Sequence, residues 1–406
     1  MSKNEELLVI TAYGKDRPGL VKNITSVLGQ NNINIVDIEA RIMRGLFIIF
    51  LIVDLSTGSI SKTELIKKYN ELANKIDFVI NIEPYKEGRR KTEKELMFLT
   101  ILGMDRPGIV FALSELMAEY NANIESIKMI SRGELIVMEV RIDISDLKID
   151  PFEFRKHLQN LWQELGVSGI FQKEDIYHKS KKLIVFDMDS TLIQAEVIDE
   201  LAKVAGVGDR VKELTLKAMN GEIDYKQALR ERVSLLKGLE ESVVRQLAEK
   251  MTLTPGAEEL IEILKLLNYK IAIISGGFDI FTNTLKKKLG IEYTFSNKLV
   301  IEDGVLSGEL EDPIIDAEEK GRIISWLATV ENISKNEIVA VGDGATDRYM
   351  FNASGLGIGF NPKDVLKQFS DGVISDKNIF GLLYALGIPE KELRKLINSV
   401  NNKNRG

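Results

Sequence analysis

The chain has 406 residues, 44% of them hydrophobic and 28% charged, with 54 basic against 61 acidic side chains for a net charge of -7. That length accommodates two or three cores, and the acidic balance without a long basic run removes any electrostatic case for nucleic acid. With no cysteine and only His157 and His178, disulfides, thiolate chemistry, Cys-based metal sites and a Ser-His-Asp triad are excluded or nearly so; carboxylates, hydroxyls, lysine and backbone amides must carry any chemistry.

The start, MSKNEELLVITAYG, has neither a basic-then-apolar leader nor a cleavage site. No apolar run approaches the ~18 residues of a membrane span. The expectation is a cytoplasmic protein without a membrane partner, which the absence of cysteine suits.

The first 180 residues hold an internal repeat. Gly14, Asp16, Arg17, Pro18 and Gly19 recur as Gly103, Asp105, Arg106, Pro107 and Gly108, and Asn34 recurs as Asn123. In each copy a β-rich strand (Leu7–Tyr13 in the first) meets a Gly-x-Asp-Arg-Pro-Gly turn, where proline opens a helix. Leu20, Ile24, Val27 and Leu28 follow helical spacing. Strands near 34–43 and 46–54, a helix near 62–75 and a strand near 78–82 complete βαββαβ, a ferredoxin-like order.

This pattern resembles the ACT domain, a ligand-sensing module of amino-acid metabolism. The resemblance implies that a small effector such as serine binds near the turn, at an interface between two such units. The implied contacts are Asp16, Gly19 and Asn34, and Asp105, Gly108 and Asn123 in the second copy. The same residues also suit plain turn-making and strand-opening. Pairing across chains is common in such modules and implies a homo-oligomer, taken as a dimer. The charged stretches Lys86–Glu95 and Gln172–Lys182 read as solvated linkers, dividing the chain into 1–88, 89–180 and 181–406.

From Lys182 the pattern changes. Leu183–Phe186, Ile271–Ile274 and Ile338–Val341 are fully apolar, β-rich runs separated by long helical stretches, as a parallel sheet covered on both faces requires. The fold class is therefore α/β, a Rossmann-like core with a helical insertion at about 194–251, preceded by the two ferredoxin-like units. Active sites of such sheets lie beyond the carboxyl ends of the strands, and each run is followed at once by a polar loop.

After the first run come Asp187-Met188-Asp189-Ser190-Thr191. Two carboxylates so close repel and call for a cation or a shared proton; one can attack phosphorus and the other can move the proton of the leaving oxygen. After the second, Ser275, Gly276 and Gly277 offer a hydroxyl and unhindered amides at a helix start to a phosphate oxygen. After the third, Asp343 and Asp347 can complete an oxygen-only cation site. Between the last two runs, Lys320 can neutralise phosphate charge.

These four pieces, in this order, resemble the haloacid dehalogenase superfamily of phosphatases. The resemblance implies Asp187 as nucleophile and Asp189 as acid and base. It implies Mg²⁺, with Mn²⁺ as the alternative, held by the Asp187 carboxylate, the Asp189 main-chain oxygen and Asp343, with Asp347 supporting the site from behind.

Within the insertion, AEVIDELA, KAMNGEIDY and LRERVSLLKG are similar to the cap of the phosphoserine phosphatase family. By that resemblance Glu196 meets the substrate ammonium, Arg232 its carboxylate, and Met219 makes an apolar contact. Two positions depart from the family pattern: Tyr225 stands in place of Phe, and Thr346 in place of an Asn that would lie near the substrate. The expected reaction is hydrolysis of phosphoserine, ending serine biosynthesis. The alternatives are another small phosphorylated metabolite, phosphoryl transfer to an alcohol, or an amino-acid-sensing regulator with a weakened site.

Overall fold

Two compact units make up the chain, Met1–Thr92 and Glu93–Gly406. The structure, a computed structural model, describes residues 7–86, 93–131, 135–178, 180–388 and 390–403. Most of the predicted linker Lys86–Glu95 lies outside the described residues.

The first unit runs β1 (Leu7–Lys15), α1 (Leu20–Gln30), β2 (Asn34–Met43), β3 (Leu46–Asp54), α2 (Lys62–Ile76) and β4 (Phe78–Pro84), the predicted βαββαβ order. Its antiparallel sheet has the order β2-β3-β1-β4. Leu8, Ile10 and Ala12 point from one face of β1 into a core shared with Leu20, Ile24 and Leu28 of α1. Period-two and helical spacing thus meet on one apolar layer, and each large aliphatic side chain buried there contributes about 1.5–3 kcal/mol. Gly19 opens α1 at φ 90°, and Gly108 plays the same part in the second copy at φ 100°; only glycine takes that backbone without strain.

The second copy runs β5 (Leu96–Met104), α3 (Ile109–Tyr120), β6 (Asn123–Ser131), β7 (Leu135–Asp143), α4 (Pro151–Leu165) and β8 (Ser168–Lys173). The predicted solvated linker at 172–182 needs correction. Gln172 and Lys173 belong to β8, and Glu174–His178 form a short helix, α5. Gln172 and Lys181 are buried, and Tyr177 stacks on Phe98 with ring centroids 4.2 Å apart. The charges suggested solvent, but the apolar residues among them find partners on β5.

The catalytic half contains β9 (Leu183–Phe186), a cap of α6 (Val197–Val204), α7 (Gly208–Met219), α8 (Tyr225–Ser234) and α9 (Glu241–Lys250), then α10 (Ala257–Leu266), β10 (Lys270–Phe278), α11 (Asp279–Leu289), β11 (Tyr293–Glu302), β12 (Val305–Glu311), α12 (Ala317–Val330), β13 (Ile338–Gly342), α13 (Arg348–Ala353), β14 (Leu356–Phe360), α14 (Asp364–Lys367), β15 (Gly372–Ile374), α15 (Leu382–Ala385) and α16 (Glu390–Lys403). Strands β10, β9, β13, β14 and β15 pair in parallel. The residues of β9 are buried on both faces, as the unbroken apolar run requires.

β15 pairs antiparallel with β8, so the sheet of the second copy continues into the parallel core as one eleven-stranded sheet. Arg155 of α4 contacts Asp371 at 3.1 Å, Gln159 donates to the Lys367 carbonyl at 2.8 Å, and the Ser375 amide donates to Ser168 Oγ at 2.9 Å. Among the described residues no helix is long and apolar enough to cross a membrane.

Candidate active site

The carboxyl ends of β9, β10 and β13 open, under the cap, into a cavity of about 740 Å³. Asp187 follows β9, and its Oδ1 accepts from the Met188 amide at 2.8 Å and faces Lys320 Nζ at 3.0 Å. Asp189 lies one tight turn on. Its Oδ1 accepts from the Val197 amide at 2.9 Å, at the start of α6, and its Oδ2 faces Ser275 Oγ at 3.3 Å. Ser190 adopts φ 54° and donates to Glu196 at 2.9 Å.

Ser275, Gly276 and Gly277 are the last part of β10, and α11 begins at Asp279. The expectation that they open a helix is corrected by this placement: they are strand end and approach, and the Gly277 amide donates to Ser275 Oγ at 2.9 Å. Lys320, on the first turn of α12, is 2% exposed. Its ammonium lies 2.8 Å from Asp347 Oδ1, while Asp347 Oδ2 accepts from the amides of Asp343 and Gly344 at 3.0 Å each. Asp347 is therefore fully engaged and stands behind the site.

Burial sets the electrostatics. It pushes the Asp187 carboxyl well above the usual carboxylate range, with Asp347 adding to the shift and Lys320 opposing it. Burial and then Glu196 raise Asp189 to about 7; burial and Asp347 raise Asp343 to about 6. Burial alone would lower the Lys320 ammonium, but Asp187 and Asp347 outweigh it and hold the charge on. A site that makes its own carboxylates costly to ionise is asking for positive charge. Asp187, Asp343 and Asp347 present oxygens within 4.8 Å of one another, all buried. An all-oxygen donor set of this kind fits a hard divalent cation.

The cap contributes Glu196 and Arg232. Arg232 is half-buried and bonds the Ala228 carbonyl at 3.2 Å and Thr215 Oγ1 at 3.4 Å, so its guanidinium is anchored while it lines the cavity. Arg230, two residues away, instead points to Asp312 at 2.6 Å. Thr346 also lines the cavity. Met219 ends α7, and its side chain lies outside the described residues.

Comparison with known proteins bears on this geometry. A model for haloacid dehalogenase-like hydrolases matches residues 181–355, and an ACT-domain model matches 6–82 and 95–172. The chain is 44% identical over 352 residues to a phosphoserine phosphatase of Archaeoglobus fulgidus, covering 87% of this chain and 100% of that one. It is 33% identical over 396 residues to a phosphoserine phosphatase of Streptomyces coelicolor, covering 95% and 93%. The chain belongs to the phosphoserine phosphatase family. Among solved structures, a haloacid dehalogenase family hydrolase of Salmonella enterica matches with a TM-score of 0.63 and 28% identity, over 71% of this chain and 98% of that one. This phosphatase family chain thus carries its hydrolase core behind two ACT domains.

The ACT candidates do not assemble within either copy. Asn34 pairs with Asp54, which also pairs with Leu7, so Asn34 lies level with the start of β1 with β3 between them, whereas Asp16 and Gly19 follow its end. Asn123, Asp143 and Leu96 repeat this arrangement, with Asp105 and Gly108 at the far end beside a cavity of about 410 Å³. Nine residues of strand separate the two ends by roughly 27 Å. Within one copy the implied effector contacts thus stand at opposite ends of the sheet.

Sequence reasoning missed Lys363. Its amide donates to the Asp343 carbonyl at 2.9 Å, and its ammonium lies 3.5 Å from Asp343 and 3.6 Å from Glu196. The only signal was its place in a loop following β14, another strand ending at the site.

Proposed function

We propose that this family member hydrolyses O-phospho-L-serine to L-serine and phosphate, with Asp187 as nucleophile. The reading is carried by one observation: Asp187, Asp189, Gly276, Gly277, Lys320 and Asp343 converge from separate strand ends and a helix start on a cavity that Glu196 and Arg232 close from the cap, with Ser275 bonded to Asp189 just behind its wall. An ammonium and a carboxylate on one substrate are what that cap pair complements.

In the first step Asp187 attacks phosphorus, the bond from phosphorus to the serine oxygen breaks, and protonated Asp189 gives its proton to that oxygen. In the second, water attacks phosphorus of the aspartyl-phosphate, Asp189 takes the water proton, and Asp187 is released as a carboxylate. A pKa of about 7 for Asp189 suits a group that must both give and accept a proton near neutrality. Ser275, the amides of Gly276 and Gly277, and Lys320 hold the phosphoryl oxygens, with Thr346 beside them and Met219 supplying an apolar contact. The Asp187 and Asp343 carboxylates and the Asp189 main-chain oxygen would hold Mg²⁺, or Mn²⁺ in its place, which would neutralise phosphate charge when bound; Asp347 supports from behind.

The reading extends to regulation. Residues 1–88 and 89–180 act as ACT domains on the catalytic part, 181–406, and bind an amino acid such as serine. Because Asp16 and Gly19 lie at the other end of the sheet from Asn34, and Asp105 and Gly108 from Asn123, an effector touching both ends needs two copies side by side; a homodimer supplies them. A cysteine-free chain suits the cytoplasm.

The test is phosphate release from phosphoserine with Mg²⁺, beside sugar and nucleotide phosphates and an Asp187→Asn control. Preference for phosphoserine, lost in the control, is expected. Preference for another phosphate would remove the Glu196 and Arg232 assignment, and no turnover by folded protein would remove the reaction.

A further inference from the structure

Tyr225, the first residue of α8, belongs to the cap yet reaches the core. It lines the same cavity as Asp187, Asp189 and Lys320. A methyl group built on Gly276 would stand 2.5 Å from the Tyr225 hydroxyl oxygen, closer than such carbons approach in real proteins. The glycine in the phosphate-facing loop is therefore what leaves room for this hydroxyl, which lies against the backbone of Gly276. Among the described residues the hydroxyl has no hydrogen-bond partner, although its ring packs on the main core. A phenol at a cavity wall with its oxygen unengaged is a donor awaiting an acceptor.

Charges around the ring indicate which acceptor. Burial raises the phenol's pKa, and Lys320 and then Arg232 pull it back most strongly, ahead of the opposing Asp187 and Asp189. Both cations are those that meet anionic substrate groups, but the contact with Gly276 lies on the phosphate side. Thr346, which lines the same cavity, offers a single hydroxyl, and a phosphate with three free oxygens can take another donor besides it.

Resting on the phosphatase reading above, we propose that the Tyr225 hydroxyl donates a hydrogen bond to a non-bridging oxygen of the substrate phosphate, giving the cap its own direct contact with that group. Cap closure is thereby tied to phosphate occupancy as well as to the ammonium and carboxylate that Glu196 and Arg232 meet.

The test is Tyr225→Phe, which keeps the ring and removes one oxygen. Inorganic phosphate is titrated calorimetrically into wild-type and variant protein with Mg²⁺, and phosphoserine turnover is measured in parallel. A hydrogen bond to an ionised acceptor is worth roughly 10- to 100-fold, so phosphate affinity and kcat/KM should both fall by about that factor, with the melting temperature unchanged. An unchanged phosphate affinity would overturn the proposal, and so would a rise in KM unaccompanied by weaker phosphate binding, which would put the hydroxyl at the carboxylate end. Wild-type protein that binds phosphate but does not turn over phosphoserine would count against the phosphatase reading alone, since the phosphate titration still judges Tyr225.

Discussion

Lys320 Nζ lies 3.0 Å from Asp187 Oδ1, and neither residue is more than 7% exposed. The ammonium offsets the cost of ionising a buried carboxylate, which the proposed attack on phosphorus requires. Lys320→Met leaves Asp187 and Asp347 facing each other without it, and breaking such a buried pair costs about 3–5 kcal/mol. The penalty should be greatest at high pH. Carboxylates whose folded pKa is raised destabilise the fold where they must ionise, and that loss shrinks as pH falls through their folded values. The Asp187 carboxyl, held well above the usual carboxylate range by burial, sets the window. Denaturant unfolding without metal at pH 8 and pH 5 measures this, and a penalty equal at both would sink the account.

A second pH effect has the opposite sign. Glu337 accepts from the Ser334 amide at 2.9 Å and its hydroxyl at 2.7 Å, and meets Lys182 at 2.8 Å. The Lys182 contact and the Ser334 bonds depress its carboxyl to about 2. A lowered folded pKa gives stability that is complete above the unfolded value, ~4.3, and is lost as pH falls toward 2. Glu337→Gln should lower the melting temperature by about 2–4 °C at pH 7. The gap from wild type should narrow steadily below pH 4.5; a gap that widens on acidification would refute the assignment.

How much of this was legible in the sequence depended on locality. Leu183–Phe186 is β9 to the residue because an unbroken apolar run bounded by polar residues has one good solution, a strand covered on both faces. The Asp187, Ser275 and Asp343 loops followed because strand ends in such sheets converge, and Lys320 reaches the same place from the first turn of α12. Lys363 was not legible, since its contacts with Glu196 and Asp343 join positions 167 and 20 residues away in the chain. The Gln172–Lys182 segment misled because charge was counted and the partners of Tyr177 could not be. Asn34 and Asn123 show another limit: motif residues shared by two copies say nothing about which end of a strand each occupies until the register is known.

The join between α4 and the core is a further place to test. Arg155 pairs with Asp371, both about one-quarter exposed, and Gln159 holds the Lys367 carbonyl. That segment directly follows α14, which begins beside Lys363. Arg155→Met should cost about 1–3 kcal/mol by leaving one Asp371 oxygen without its ion pair, the other still accepting from the Gly357 amide at 2.8 Å. It should also lower kcat/KM by loosening the loop that carries Lys363. Equilibrium unfolding and steady-state kinetics on the same protein decide it. Loss of stability with unaltered kinetics would show that the join is structural and does not reach the site.

Glu196 offers the sharpest separation of substrate recognition from chemistry. Its carboxylate is held by Ser190 at 2.9 Å and faces Lys363, at the cavity rim and on the cap side of Asp189. Glu196→Gln keeps the shape and the bond to Ser190 while removing the charge that would meet a substrate ammonium. An ammonium–carboxylate bond is worth about 1.5–3 kcal/mol, so KM for phosphoserine should rise by roughly 10- to 100-fold. Inorganic phosphate, which has no ammonium, should bind as in the wild type. The same substitution removes a negative neighbour of Asp189, so the acidic group's pKa should fall and the pH optimum should shift downward. Raised KM with unchanged phosphate affinity identifies Glu196 as the ammonium contact, whereas equal weakening of both ligands would place its effect on the site as a whole.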